Sequence, residues 1–185
     1  MKLSPTRALQ PGDAERANAI VATLRVTLSK YQDFRVAQAD GYKQFLPNVK
    51  QPRYHFTSWM NALAAEHGFD PARPTSLLYD KNGDSYRLVG AMYTAPRSAT
   101  PAALEARIPL SIARWHQHVD LCWGPLGTDK SKYVGPNAQF GLLGSITTQT
   151  ACDAAGGHFQ PVLYNWMVHV YPFETDPAKI WRVDM

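Results

Sequence analysis

Apolar and polar positions alternate with a helical period early in the chain and with a strand period later on. Between residues 13 and 33, Ala17, Ile20, Val21, Leu24, Leu28 and Tyr31 recur at helical spacing. That pattern predicts an amphipathic helix, with Asp13 as its N-cap after Pro11-Gly12. A second short helix is expected over 34–40, ended by Gly41, and Pro47 and Pro52 then bracket a loop. Thr57 or Ser58 is placed to cap a third helix that carries Trp59, Met60, Leu63 and Ala64 and stops at Gly68.

Beyond residue 75 the pattern changes. Residues 76–79 and 85–93 read as strands, and Asn82-Gly83 between them is a hairpin signal because both residues tolerate positive φ. Thr100-Pro101 has the form of an N-cap followed by proline at the first helical position, opening a helix to about Arg107. Residues 111–122 and 162–171 are two further predicted strands. A Gly-, Pro- and polar-rich loop over 124–144 and a short helix over 148–155, closed by Gly156-Gly157, lie between them. Helices first and strands later predict an α+β fold, with N-terminal helices followed by a mainly antiparallel sheet. The expected organisation is a single domain over residues 1–185, of which residues 1–42 form an N-terminal helical segment.

Composition narrows the function classes. Hydrophobic residues make up 45% and charged residues 18%, a balance that supports a packed core rather than disorder. Five Trp, nine Tyr and seven Phe favour strands and line pockets. The net charge of +4 is scattered, and Lys130-Ser131-Lys132 is too small for a nucleic-acid footprint, so no nucleic-acid partner is expected. No apolar run approaches the ~20 residues that span a bilayer. Leu3-Ser4-Pro5 after Met1-Lys2 is not the apolar core of a signal peptide. Cys122 and Cys152 fit one disulfide as well as they fit two thiols of a cytoplasmic protein.

The candidate chemistry lies in the histidines. Strand alternation puts His116, His118, Asp120 and Cys122 on one face of the 111–122 strand and Trp115, Val119 and Leu121 on the other. It likewise puts His169 on the face opposite Val162, Tyr164, Trp166, Val168 and Val170. If these strands pair, an HxH pair and a third imidazole come side by side, a donor set suited to Zn, Cu, Fe or Ni. His55, within Tyr54-His-Phe-Thr57, is the candidate fourth ligand or a general base. Asp120 and Glu174 are candidate carboxylates to orient an imidazole, and Tyr54, Trp115, Trp166 and Tyr171 are candidate pocket walls. His67 precedes Gly68 at a predicted helix end, where an imidazolium suits the helix dipole, and His158 follows Gly-Gly in a predicted turn.

Other motifs lack essential parts. No Glu follows the HxH as it does in cupins, and HExxH is absent. Asp80–Asp84 lacks the distal Glu of a calcium loop, and Gly141–Gly144 lacks the Lys-Ser/Thr of a phosphate loop. Cys152 with His158 has no thiol-enzyme signature around it, and no GxSxG elbow is present.

Seven stretches resemble a group of uncharacterised bacterial proteins that often carry signal peptides. They are Ala39–Tyr42, Tyr54–Thr57, Pro74–Tyr79, Leu88–Tyr93, Trp115–His118, Ala151–Gly157 and Trp166–His169. The resemblance supplies no activity. It implies export, a Cys122–Cys152 disulfide, and zinc or copper as the metals of an oxidising compartment. The reading is a metal-binding protein of the bacterial envelope, periplasmic or secreted, that holds a divalent zinc or copper ion. An open coordination position would give it metal-dependent chemistry, and a closed one a structural or sequestering role. The alternatives are a metal-free module binding a small molecule or peptide in an aromatic pocket, and a cytoplasmic home.

Overall fold

A computed structural model describes residues 1–47 and 51–183. Residues 48–50 of the predicted Pro47–Pro52 loop lie outside the described residues. In chain order the elements are β1 (Lys2–Leu3), α1 (Asp13–Leu28), α2 (Phe34–Ala39), β2 (Lys43–Gln44), β3 (Tyr54–Thr57), α3 (Trp59–His67), β4 (Ser76–Asn82) and β5 (Ser85–Ala95). There follow α4 (Pro101–Arg107), β6 (His116–Gln117), β7 (Val119–Trp123), α5 (Gln149–Ala154), β8 (His158–Val162), β9 (Trp166–Val170) and α6 (Pro177–Ile180). The fold is α+β, and the strand pairs within each of its two units are antiparallel. The chain gathers into two compact units, one of Ser4–Trp115 with Trp166–Met185 and the other of Met1–Leu3 with His116–Asn165.

The larger unit is built on strands in the order β9, β5, β4, β3, β2. Alternation gives these strands two different faces. Phe56, Leu77, Tyr79, Ala91, Tyr93, Val168 and Val170 join the core with Ile20, Val21, Leu24 and Leu28 of α1. Each of these α1 aliphatics contributes about 1.5–3 kcal/mol by leaving water. The helix starts one residue earlier than its sequence suggests. Gly12, at φ 89°, is the N-cap, and Asp13 is buried inside the first turn. The Asp13 carboxylate accepts from both Arg7 Nη atoms at 2.6 and 2.7 Å, from Ser111 Oγ at 2.6 Å and from the Gln10 amide at 2.8 Å. Its tertiary ligands outweigh a local cap. Foremost among them is the Arg7 fork, which also holds this carboxyl well below the usual carboxylate range.

Local signals elsewhere are matched or displaced by a residue. Ser58, Thr100 and Thr148 cap α3, α4 and α5 by accepting from Asn61, Ala103 and Ala151 amides. In the β4–β5 hairpin Asn82 pairs with Ser85, so the turn is Gly83-Asp84 and only Gly83, at φ 58°, is left-handed. Trp59, Met60 and Leu63 of α3 are 76%, 69% and 59% exposed, although their spacing reads as a buried helix face.

The smaller unit pairs β1 with β6 and β7 with β8. Its buried cluster is Cys122, Phe140 and Cys152, with Tyr133, Ile146, Ala155 and Phe159 packed on it. Cys122 and Cys152 form a disulfide with Cα atoms 5.5 Å apart. The two long strands expected from the sequence are each broken here. Residues 162–171 split into the end of β8 and all of β9, with Leu163–Asn165 between them. Residues 111–122 contribute only β6 and most of β7, and Asp120 stands at φ 59°. The register between Val119–Val162 and Leu121–Gln160 sets Asp120 opposite Pro161, which has no N–H to donate to a ladder. Asp accepts the left-handed conformation that results more readily than most residues.

Candidate functional site

The polar face of the larger unit carries the densest chemistry. Antiparallel register lines up Thr57, Ser76, Met92 and His169 as one row across β3, β4, β5 and β9. His55, Leu78 and Gly90 form the next row. His55 and His169 sit three strand intervals apart, roughly 14 Å on a flat sheet. Their Nε2 atoms are nevertheless 3.5 Å apart, with ring centroids at 5.5 Å and planes inclined by 48°. The sheet therefore bends toward this face, and two features on the route permit it. One is the register shift between Leu78 and Tyr79. The other is Gly90, where an added Cβ would collide with the Val170 carbonyl oxygen and come within 2.9 Å of Tyr171 Cδ1.

A second contact spans the same face beside the first. Arg53 donates from Nη1 to Tyr171 Oη at 2.7 Å and from Nε to Asp80 Oδ1 at 3.1 Å. Asp80 also accepts from Arg87 at 3.0 Å. The Arg182 guanidinium lies 4.0 Å from the Tyr171 ring centroid and donates to Glu174 at 2.6 Å. Two arginine clamps thus fix Tyr171, whose ring centroid is 6.3 Å from that of His169.

Two Nε2 atoms at this separation admit two chemical states. Either one imidazole donates its Nε2–H to the other, or both lone pairs converge on a cation. A tetrahedral ion with metal–nitrogen bonds of about 2.0–2.1 Å has ligand nitrogens about 3.3–3.4 Å apart. The observed 3.5 Å lies close to that edge. Both rings must be neutral at Nε2 to act as ligands.

Among the residues expected at a metal site, the larger unit brings His55 and His169 together. The smaller unit brings His116 and His118 together, with ring centroids 5.8 Å apart and planes at 85°. His116 is buried opposite Leu3 of β1, and His118 sets its ring edge against Tyr164 at 5.8 Å. Burial pushes the His118 imidazole below its usual pKa and so favours the neutral form a ligand needs. Among the described residues no group of three or more His, Cys, Asp or Glu side chains is gathered around one point as a ready metal cage.

The remaining candidates have other places. Asp120 is exposed in β7 with a left-handed backbone, and Glu174 is engaged by Arg182. Tyr54, Trp115 and Trp166, expected as pocket walls, belong to the hydrophobic core, where their large apolar area is withdrawn from water. Tyr171 is buried under its arginines. His158 is exposed in β8 opposite Trp123. His67 ends α3 and lines a 410 Å³ groove with Asn61, Phe69, Arg73 and Tyr93. A second groove of 520 Å³, on Tyr42, Trp59 and Met60, shares Asn61 and Arg73 with the first. Sequence reasoning missed Arg53, Gly90 and Met92. Arg53 could have been found by its i−2 relation to His55, and Met92 by its place in a predicted strand. The place of Met92 opposite His169, and the reach of Arg53 to Tyr171, needed the tertiary structure.

No family model, no curated protein and no solved structure matches the chain.

Proposed function

We propose that this protein binds a transition-metal ion through histidine, with His55 and His169 as the ligand pair in the larger unit. The observation that carries the reading is the 3.5 Å separation of their Nε2 atoms, close to one edge of a metal tetrahedron. Imidazole donors suit zinc and copper. A site with two protein imidazoles leaves further positions for donors, and an open position on such an ion acidifies bound water or polarises a carbonyl. The Cys122–Cys152 disulfide supports a home in an oxidising compartment, the periplasm or the exterior of a bacterial cell. Among the described residues no helix is long and apolar enough to cross a membrane.

The test is equilibrium titration with Zn(II) and with copper, with metal content measured after dialysis. Wild type retains one ion, and His55→Ala and His169→Ala each lose at least tenfold in affinity. The same titration on His116→Ala/His118→Ala reads whether the histidine pair of the smaller unit binds an ion of its own. Failure of wild type to bind either metal refutes the reading. The two grooves beside α3 favour a second reading, a metal-free module for a small organic ligand or peptide. Thermal stabilisation by small organics but by no metal selects it.

A further inference from the structure

We propose that the ion held by His55 and His169 is copper(I), with the Met92 thioether as its third protein donor. The inference rests on the metal-binding reading above and names the ion that the same site selects.

Three observations lead to sulfur. First, no third His, Cys, Asp or Glu among the described residues completes a cage with the histidine pair. A third side-chain donor at this pair is then one of another residue type. Second, Met92 is the direct cross-strand partner of His169, so both side chains rise from the same face of adjacent strands. Directly opposed residues have Cβ atoms about 4.5–5.5 Å apart, within reach of a flexible three-torsion thioether. Third, His55 reaches His169 from β3 by passing over β4 and β5. The β5 residues of the two rows on this face are Gly90, which has no side chain, and Met92. Met167 lies on this face too, two residues before His169 and opposite Thr94. Met92 and Met167 are only 7% and 8% exposed, so both side chains are largely withdrawn from bulk water.

The donor set decides the metal. Thioether sulfur is a soft, neutral ligand that selects copper(I), whereas zinc is completed by thiolate, imidazole or carboxylate. Two neutral imidazoles and one thioether leave a singly charged ion with its own charge only. That suits a buried position better than a doubly charged ion with no anionic ligand.

The experiment measures copper(I) affinity by competition with bicinchoninate under ascorbate. Ascorbate keeps the copper reduced and leaves the Cys122–Cys152 disulfide closed, so no thiol competes. Zn(II) affinity is measured in parallel. Met92→Leu conserves volume and is expected to fold, which circular dichroism checks. The expected result is a loss of tenfold or more in copper(I) affinity, with Zn(II) affinity within twofold of wild type. X-ray absorption of the wild-type copper(I) form is expected to contain a sulfur shell that Met92→Leu lacks. Unchanged copper(I) affinity in Met92→Leu, or a wild-type first shell of nitrogen alone, overturns the proposal. If the variant does not fold, the wild-type spectrum alone decides. Zinc bound through His55 and His169 with a copper affinity indifferent to Met92 sinks this inference and spares the metal reading. A wild type that binds neither metal sinks both.

Discussion

Removal of the Cys122–Cys152 disulfide is expected to unravel the smaller unit while leaving the larger one folded. The two cysteines are 30 residues apart in sequence. In the chain-entropy model a loop of about 30 residues contributes roughly 3.6 kcal/mol by restricting the unfolded chain. Among the described residues, the buried apolar side chains of the unit are few. Its buried cluster is Cys122, Phe140 and Cys152, with Leu121 and Ala138 buried besides. The bond is also seated on glycine, since a Cβ at Gly157 would stand 2.5 Å from Cys122 Sγ and 2.9 Å from Cys152 Sγ. The perturbation is Cys122→Ala/Cys152→Ala, compared with the oxidised wild type. Because separate regions of a protein open with separate free energies, the readout is local. Amide hydrogen exchange is followed over 116–165 and, as an internal reference, over β4 and β5. Protection in 116–165 is expected to fall by about 3–4 kcal/mol, while that of the hairpin stays within about 0.5 kcal/mol. A loss below about 1 kcal/mol in the smaller unit, or an equal loss in both regions, would refute the reasoning.

Gly90→Ala is expected to cost about 1–3 kcal/mol, because the new Cβ meets the Val170 carbonyl oxygen, which is backbone and cannot swing aside. The same variant should weaken metal binding, since it pushes β5 and β9 apart beneath the His55–His169 contact; a urea midpoint unchanged from wild type would contradict the packing argument. Below about pH 6.5 the protein should lose stability as pH falls, in part through His118. Burial holds its folded pKa below the unfolded value, so the unfolded chain binds the extra proton first and is favoured in acid until the folded pKa is passed. Urea unfolding at a series of pH values checks this, and His118→Asn should flatten the slope; a wild-type slope retained in that variant assigns the effect elsewhere.

Much of the local structure was legible in the residues alone. Ser58, Thr100 and Thr148 have hydroxyls that reach an amide three residues on, and each begins a helix. The α1 stripe from Ala17 to Leu28 fixed its buried face. Gly83 and Gly156 take the left-handed backbone their turns require. The α+β class followed from the order of these elements. These signals act over a few residues, so no tertiary partner is needed to read them. Where a partner competes, they shift. Asp13 gives up its cap for Arg7 and Ser111, and Trp59, Met60 and Leu63 stay in solvent although their spacing points inward.

The candidate site was legible as residue types and not as a place. Strand phase put His169 on the face away from the Val168 and Val170 core, as observed. The same phase argument failed at Asp120, because alternation assumes an unbroken ladder and Pro161 cannot supply a donor. No spacing in the chain, with 113 residues between them, tells His55 that its nearest imidazole is His169. That contact, and the position of Met92 beside it, arise from strand order, register and the bend of the sheet over Gly90. The sequence by itself determined the caps, the turns, the amphipathic faces and the donor atoms available, all set by interactions within one or two turns of chain. Only the tertiary structure decided which donors converge, because the distance between side chains on non-adjacent strands depends on how the whole sheet curves, a property that no single segment encodes.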